Sequence, residues 1–132
     1  MNVDQQYQSN KTLTFVLYVM YIAAIFSAGI LALIALIINY AKRSSVRGTI
    51  FETHFAWQIR TVWWYVLWNI LACIPLFAYL ATVDSFTYTD DMAIALASLG
   101  LTTWGAVVVV SFIWIIYRGI KGLIVLNENR AI

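Results

Sequence analysis

Apolar residues run almost unbroken along three stretches of this chain, with short polar segments between them. No charged residue falls between Thr12 and Ala41, between Thr61 and Val83, or between Met92 and Tyr117, runs of 30, 23 and 26 residues. A helix needs roughly 20 apolar residues to cross a hydrocarbon core about 30 Å thick, so each run is long enough to span. Between the first two runs the pattern changes. Phe51, Phe55, Ile59 and Val62 recur on one helical face, while His54, Gln58, Thr61 and Tyr65 recur on a neighbouring stripe at intervals of four, three and four. Such a segment is suited to lie in the membrane interface before the chain turns into the next span. The fold class predicted is an all-α integral membrane protein, with three transmembrane helices and a cytoplasmic-side interfacial amphipathic helix between the first and second.

The expected organisation is one membrane domain over residues 1–132. An external tail occupies 1–12, span 1 occupies 13–40, and a basic turn covers 41–49. The interfacial helix follows over 50–61, span 2 over 62–82, an acidic external loop over 83–91, span 3 over 92–117 and a cytoplasmic tail over 118–132. Ser44, Ser45 and Gly48 break the helix at the basic turn, and Thr49 with Glu52 has the spacing of a capping box. Small residues at Phe26-Ser-Ala28 offer a cleavage point for a signal peptide, but the apolar run continues through Ile38, beyond the 7 to 15 residues typical of a cleaved core. The first run is therefore expected to be retained.

Composition agrees with the pattern: 63% of the 132 residues are hydrophobic and 11% are charged, too apolar for an ordinary soluble domain. The charges are unevenly placed. Lys42, Arg43, Arg47 and Arg60 follow the first run, and Arg118, Lys121 and Arg130 follow the third. The other side carries Lys11 alone, with Asp4, Asp84, Asp90 and Asp91. Seven basic residues against one predict a cytoplasmic first loop and C-terminus with the N-terminus outside. Lys42, Arg43, Arg47, Arg60, Arg118 and Lys121 are then placed at anionic headgroups, each worth about 1 kcal/mol of attraction. A net charge of +2 so explained gives no argument for nucleic acid.

Small and polar positions within the runs mark expected packing faces. Ala24, Ala28 and Ala32 recur every four residues in span 1, Asn69 and Pro75 interrupt span 2, and span 3 carries Ser98, Gly100, Thr102, Thr103, Gly105 and Ser111. In lipid, helices join through close packing and hydrogen bonds, which such residues permit. Val62-Trp-Trp-Tyr65 reads as an aromatic belt at headgroup depth.

Two segments carry a resemblance. The run Gly48-Thr-Ile-Phe-Glu52-Thr-His54-Phe-Ala-Trp57-Gln58-Ile-Arg60-Thr61-Val-Trp-Trp64, preceded by Lys42-Arg43 and followed far downstream by Tyr117-Arg118-Gly-Ile-Lys121-Gly122-Leu-Ile-Val-Leu-Asn127, resembles a proteobacterial family of small inner-membrane proteins of unknown function. That family is distantly grouped with the Tic-type protein-import channel subunit of the chloroplast inner envelope, whose members are usually drawn with four spans. The similarity covers most of residues 13–132, with its specific part in His-Phe-x-Trp-Gln-Ile-Arg-Thr and Tyr-Arg-x-x-Lys-Gly-Leu. The chain departs from the family pattern at Thr53, where Ser is common, at Ala56, where Arg is common, and at Asn127–Arg130, where Asn-Asp-Gly-Lys is usual. The resemblance implies a family and a bacterial inner-membrane location, and no activity.

Candidate chemistry is sparse. His54 is the single histidine and Glu52 lies two residues away on another helix face, so the convergent set that zinc requires is absent. Haem between helices would need a second chain to supply another axial histidine. Cys73 has no intrachain partner and reads as an apolar filler. No hydroxyl near His54 sits in a nucleophile motif. The acidic loop reads as a solvated face. No Asp, Glu, Lys or Arg occupies the middle of a run, so ion coupling lacks its usual carriers.

The residues thus point to no cofactor and no enzyme, and to an accessory subunit or adaptor of a larger membrane assembly. The alternative is an oligomeric channel or translocation-type subunit passing ions, small solutes or unfolded chains. The stripe His54, Gln58, Thr61 and Tyr65 bonds either to the chain's own helices or to a membrane-protein partner or second copy.

Overall fold

The computed structural model of this protein describes residues 2–27, 29–82 and 89–132. Ala28 and most of the acidic loop, 83–88, lie outside them. The described residues are helical almost throughout, with no strand. Helix α1 runs Val3–Ala23, a 3-10 turn Ala24–Ser27 follows, and α2 runs Ile30–Lys42. A second 3-10 turn, Arg43–Val46, leads to α3, Ile50–Thr82, and α4 spans Asp90–Asn127. Three segments are long and apolar enough to cross a membrane: Val3–Ser27, Ile50–Ala81 and Asp90–Asn127.

The first run is not one span. It folds into two helices because Gly29 takes the left-handed conformation, φ 88°, which only glycine adopts freely. The Gly29 N–H reaches back to the carbonyl of Ala24, and Ser27 Oγ accepts from the N–H of Leu31 to start α2. At about 1.5 Å per residue, the 13 residues of α2 extend roughly 20 Å, short of a hydrocarbon core. The Ala24–Ala28–Ala32 stripe is consequently divided: Ala24 is buried in the turn and Ala32 packs from α2 against the core.

Nor does 1–12 form a separate tail. Asn2 caps α1 in a capping box with Gln5, so the polar N-terminal segment is the first part of the helix. At the other boundary, 50–61 and 62–82 form a single helix that continues through Pro75. No distinct interfacial helix is set off at residue 61. Of the expected apolar stripe, Phe51 and Phe55 lie in the core, Val62 packs against it and Ile59 is half-buried.

The chain divides into two compact units. The first, Met1–Trp63 with Trp114–Ile132, packs α1, α2, the start of α3 and the end of α4 around Leu17, Tyr18, Tyr21, Ala35, Val46, Phe51, Phe55 and Leu126. In it α1 lies antiparallel to α4, as Gly119 beside Ile22 and Gly122 beside Tyr18 show. The two chain ends meet: Tyr7 Oη and Lys11 Nζ both donate to Asn129 Oδ1 at 2.8 Å. Asn129 itself is left-handed, φ 56°, and ends α4 with Asn129 N–H on Leu126 O and Arg130 N–H on Val125 O. That is a Schellman cap, in which asparagine is the usual substitute for glycine.

The second unit, Trp64–Ile113, pairs the rest of α3 with the start of α4 as an antiparallel hairpin. Tyr65 stacks on Phe112 at 6.4 Å, Asn69 Nδ2 donates to Ser111 Oγ at 3.4 Å and to Tyr65 O at 2.8 Å, and Gly100 backs onto Leu76. Large apolar side chains such as Phe77, Ile94, Val110 and Ile113 stand exposed on its surface, as expected where lipid is the solvent.

Candidate functional site

The His54 stripe turns into the first unit. His54 is fully buried and Gln58 is 2% exposed. His54 Nε2 bonds the carbonyl of Arg130 at 2.8 Å, so it must carry the hydrogen, and Nδ1 then accepts from Tyr18 Oη at 2.7 Å. The same tyrosine ring stands edge-on to the imidazole at 5.7 Å. One turn on, Gln58 Oε1 accepts from Asn39 Nδ2 at 2.8 Å and Gln58 Nε2 donates to the carbonyl of Thr14 at 3.3 Å. Asn39 Oδ1 accepts from the Tyr21 hydroxyl.

Four segments are tied by this network: α1 through Thr14, Tyr18 and Tyr21, α2 through Asn39, α3 through His54 and Gln58, and the C-terminal tail through Arg130. No buried side-chain nitrogen or oxygen among the described residues is left without a partner. Of the two directions the stripe left open, His54 and Gln58 take the inward one, to the chain's own helices. Tyr65, the fourth member, belongs to the second unit and stacks on Phe112 instead.

Thr61 joins a second cluster. Its Oγ1 donates to Trp57 O at 2.7 Å and accepts from Arg118 Nε at 2.6 Å. The Arg118 guanidinium carbon lies 3.5 Å from the centroid of Trp57 and 4.9 Å from that of Trp114, while Trp57 Nε1 donates to Arg118 O at 3.3 Å. Arg118 is half-buried and engaged within the protein, unlike Lys42, Arg43, Arg47 and Arg60, which stand exposed. Lys121 is exposed, with Nζ 5.6 Å from the Trp57 ring.

The expected packing positions divide as well. Asn69 does pack, on Ser111. Ser98 and Thr102, by contrast, lie on the exposed face of α4, and Gly100 makes the close approach to α3 in their place. Among the described residues no three His, Cys, Asp or Glu side chains gather as a metal site. An open cleft of about 370 Å³ in the second unit is lined by Pro75, Leu96, Leu99, Gly100 and Thr103 with Ala78 and Tyr79.

Sequence reasoning missed half of the buried network. Thr14, Tyr18 and Tyr21 stand at i, i+4 and i+7 in the first run, and Asn39 is an amide in an apolar stretch. That polar spacing was the available signal, since polar groups in spans face other helices. Gly119 and Gly122 were a second one: a Cβ on Gly119 would come within 2.7 Å of Ile22, and one on Gly122 would overlap the Tyr18 ring. Family models, curated proteins and solved structures all give no match to this chain.

Proposed function

We propose that this protein is a non-enzymatic, multi-pass protein of the bacterial inner membrane that serves as an accessory subunit or adaptor of a larger membrane assembly. The observation that carries the reading is the outward face of α4 in the second unit. Ser98 and Thr102 are exposed there, and a Cβ placed on Gly105 would meet nothing within 4 Å. Small and hydroxyl side chains at this spacing suit the close approach of another transmembrane helix. With His54 and Gln58 satisfied internally, association falls to α4. The resemblance of the His-Phe-x-Trp-Gln-Ile-Arg-Thr segment to small inner-membrane proteins supports the location.

For orientation, every Lys and Arg of the chain lies in the first unit and none in the second. By the positive-inside rule we propose that both termini, which lie in this unit, are cytoplasmic. For the N-terminus this proposal differs from the periplasmic side expected from loop counting. Tagged protein extracted from native membranes should carry a recurring membrane-protein partner, and Gly105→Leu should remove it without loss of folded protein. Recovery of the same partner with Gly105→Leu, or of monomer alone from the wild type, would defeat the reading. The same hydroxyl face favours a second reading, in which copies associate through α4 to enclose a conduit. Solute flux through purified protein in liposomes would support it, and a homogeneous monomer without flux would end it.

A further inference from the structure

The eight basic residues are not equivalent. Lys11 donates to Asn129, Arg130 pairs with Glu128, and Lys42, Arg43 and Arg47 stand exposed around the connection from α2 to α3. Arg60, Arg118 and Lys121 instead gather across α3 and α4 in the first unit. Arg118 and Lys121 share the Trp57 ring, at 3.5 and 5.6 Å from its centroid, and Arg60 directly precedes Thr61, whose Oγ1 accepts from Arg118 Nε.

None of the three makes an ion pair with a carboxylate among the described residues. The protein supplies acceptors to Arg118 at Nε, from Thr61, and at Nη2, from Trp57 O at 3.4 Å, and none among the described residues at Nη1. Two like charges held about one indole, one of them half-buried and fixed by a short hydrogen bond, with Arg60 next to Thr61 in sequence, form an arrangement that an outside anion would stabilise. A planar guanidinium with a free nitrogen, with the exposed Arg60 and Lys121 on the same two helices, matches the oxygens of a phosphate group. Trp57 and Trp114 beside it are the residues that settle at headgroup depth.

We infer that Arg60, Arg118 and Lys121, framed by Trp57 and Trp114, bind the phosphate of one anionic phospholipid headgroup of the surrounding bilayer. The site is distinct from the α4 face and from the exposed cations before α3, which attract anionic lipid diffusely.

The test uses the purified full chain in zwitterionic micelles, with phosphatidylglycerol, phosphatidylcholine or inorganic phosphate added, read by native mass spectrometry and by thermal unfolding. Phosphatidylglycerol should be retained as a discrete adduct and raise Tm, while phosphatidylcholine and millimolar inorganic phosphate should do neither. Arg60→Gln and Lys121→Gln, both at exposed positions, should each weaken that retention about fivefold and leave the lipid-free Tm unchanged. The double substitution Lys42→Gln with Arg43→Gln should leave retention intact. Equal retention of phosphatidylcholine, unchanged retention in the Arg60 and Lys121 variants, or equal weakening by the Lys42 and Arg43 pair would overturn the site. Equal stabilisation by inorganic phosphate would overturn the lipid as its source.

Discussion

At the scale of single residues, the chemistry of His54 is settled by its neighbours. A carbonyl on Nε2 and a hydroxyl on Nδ1 fix one neutral tautomer, and neither nitrogen is left for a ligand. Interhelical hydrogen bonds in membranes are worth on average about 0.6 kcal/mol, so His54→Ala, which removes two and leaves Tyr18 Oη and Arg130 O without partners, should destabilise by about 1–2 kcal/mol. Gln58→Ala should cost a similar amount by stranding Asn39. Reversible unfolding in micelles checks both, and the folded fraction of each variant should associate as the wild type does. The stripe itself was legible in the sequence from its spacing. Its direction was not, because i, i+3 and i+4 periodicity identifies a face without saying whether that face meets protein or partner.

At the scale of elements, the charge-free runs correctly marked α3 and α4, whose apolar length is plain in the sequence. They failed at the first run because a single glycine in an apolar stretch reads the same whether it packs or turns. Only its left-handed backbone distinguishes Gly29. In segment 50–61 the sequence could not show that Phe51 and Phe55 pack with Leu17, Tyr18 and Tyr21 of α1 and Ala35 of α2, because that cluster needs the first run to turn at Gly29. The glycines of α4 differ in the same way. Gly122→Ala would press on the Tyr18 ring that holds His54 and should cost about 1–3 kcal/mol, whereas Gly105→Ala, facing open space, should stay within about 0.5 kcal/mol of wild type. Thermal unfolding of the two variants side by side makes the comparison.

At the scale of the whole molecule, composition revealed a membrane protein, and the count of charges by loop gave its orientation on the assumption of an odd number of passes. The contacts of Tyr7 and Lys11 with Asn129 bring the chain ends together, so reagents confined to one side should label Asn2→Cys and Ile132→Cys alike in a chain whose Cys73 has been replaced by Ala. Labelling of the two from opposite sides would refute the arrangement. Function was least legible, since the proposed adaptor role rests on an open helix face rather than on a motif, and the most conspicuous polar residues, His54 and Gln58, bond internally. The most direct measurement is photo-crosslinking in native membranes, with a benzophenone amino acid introduced separately at Thr102 and at Arg60, both exposed, on α4 and α3. The account predicts a recurring protein adduct from Thr102 and none from Arg60, which faces lipid headgroups. A protein adduct at Arg60 with none at Thr102 would contradict it.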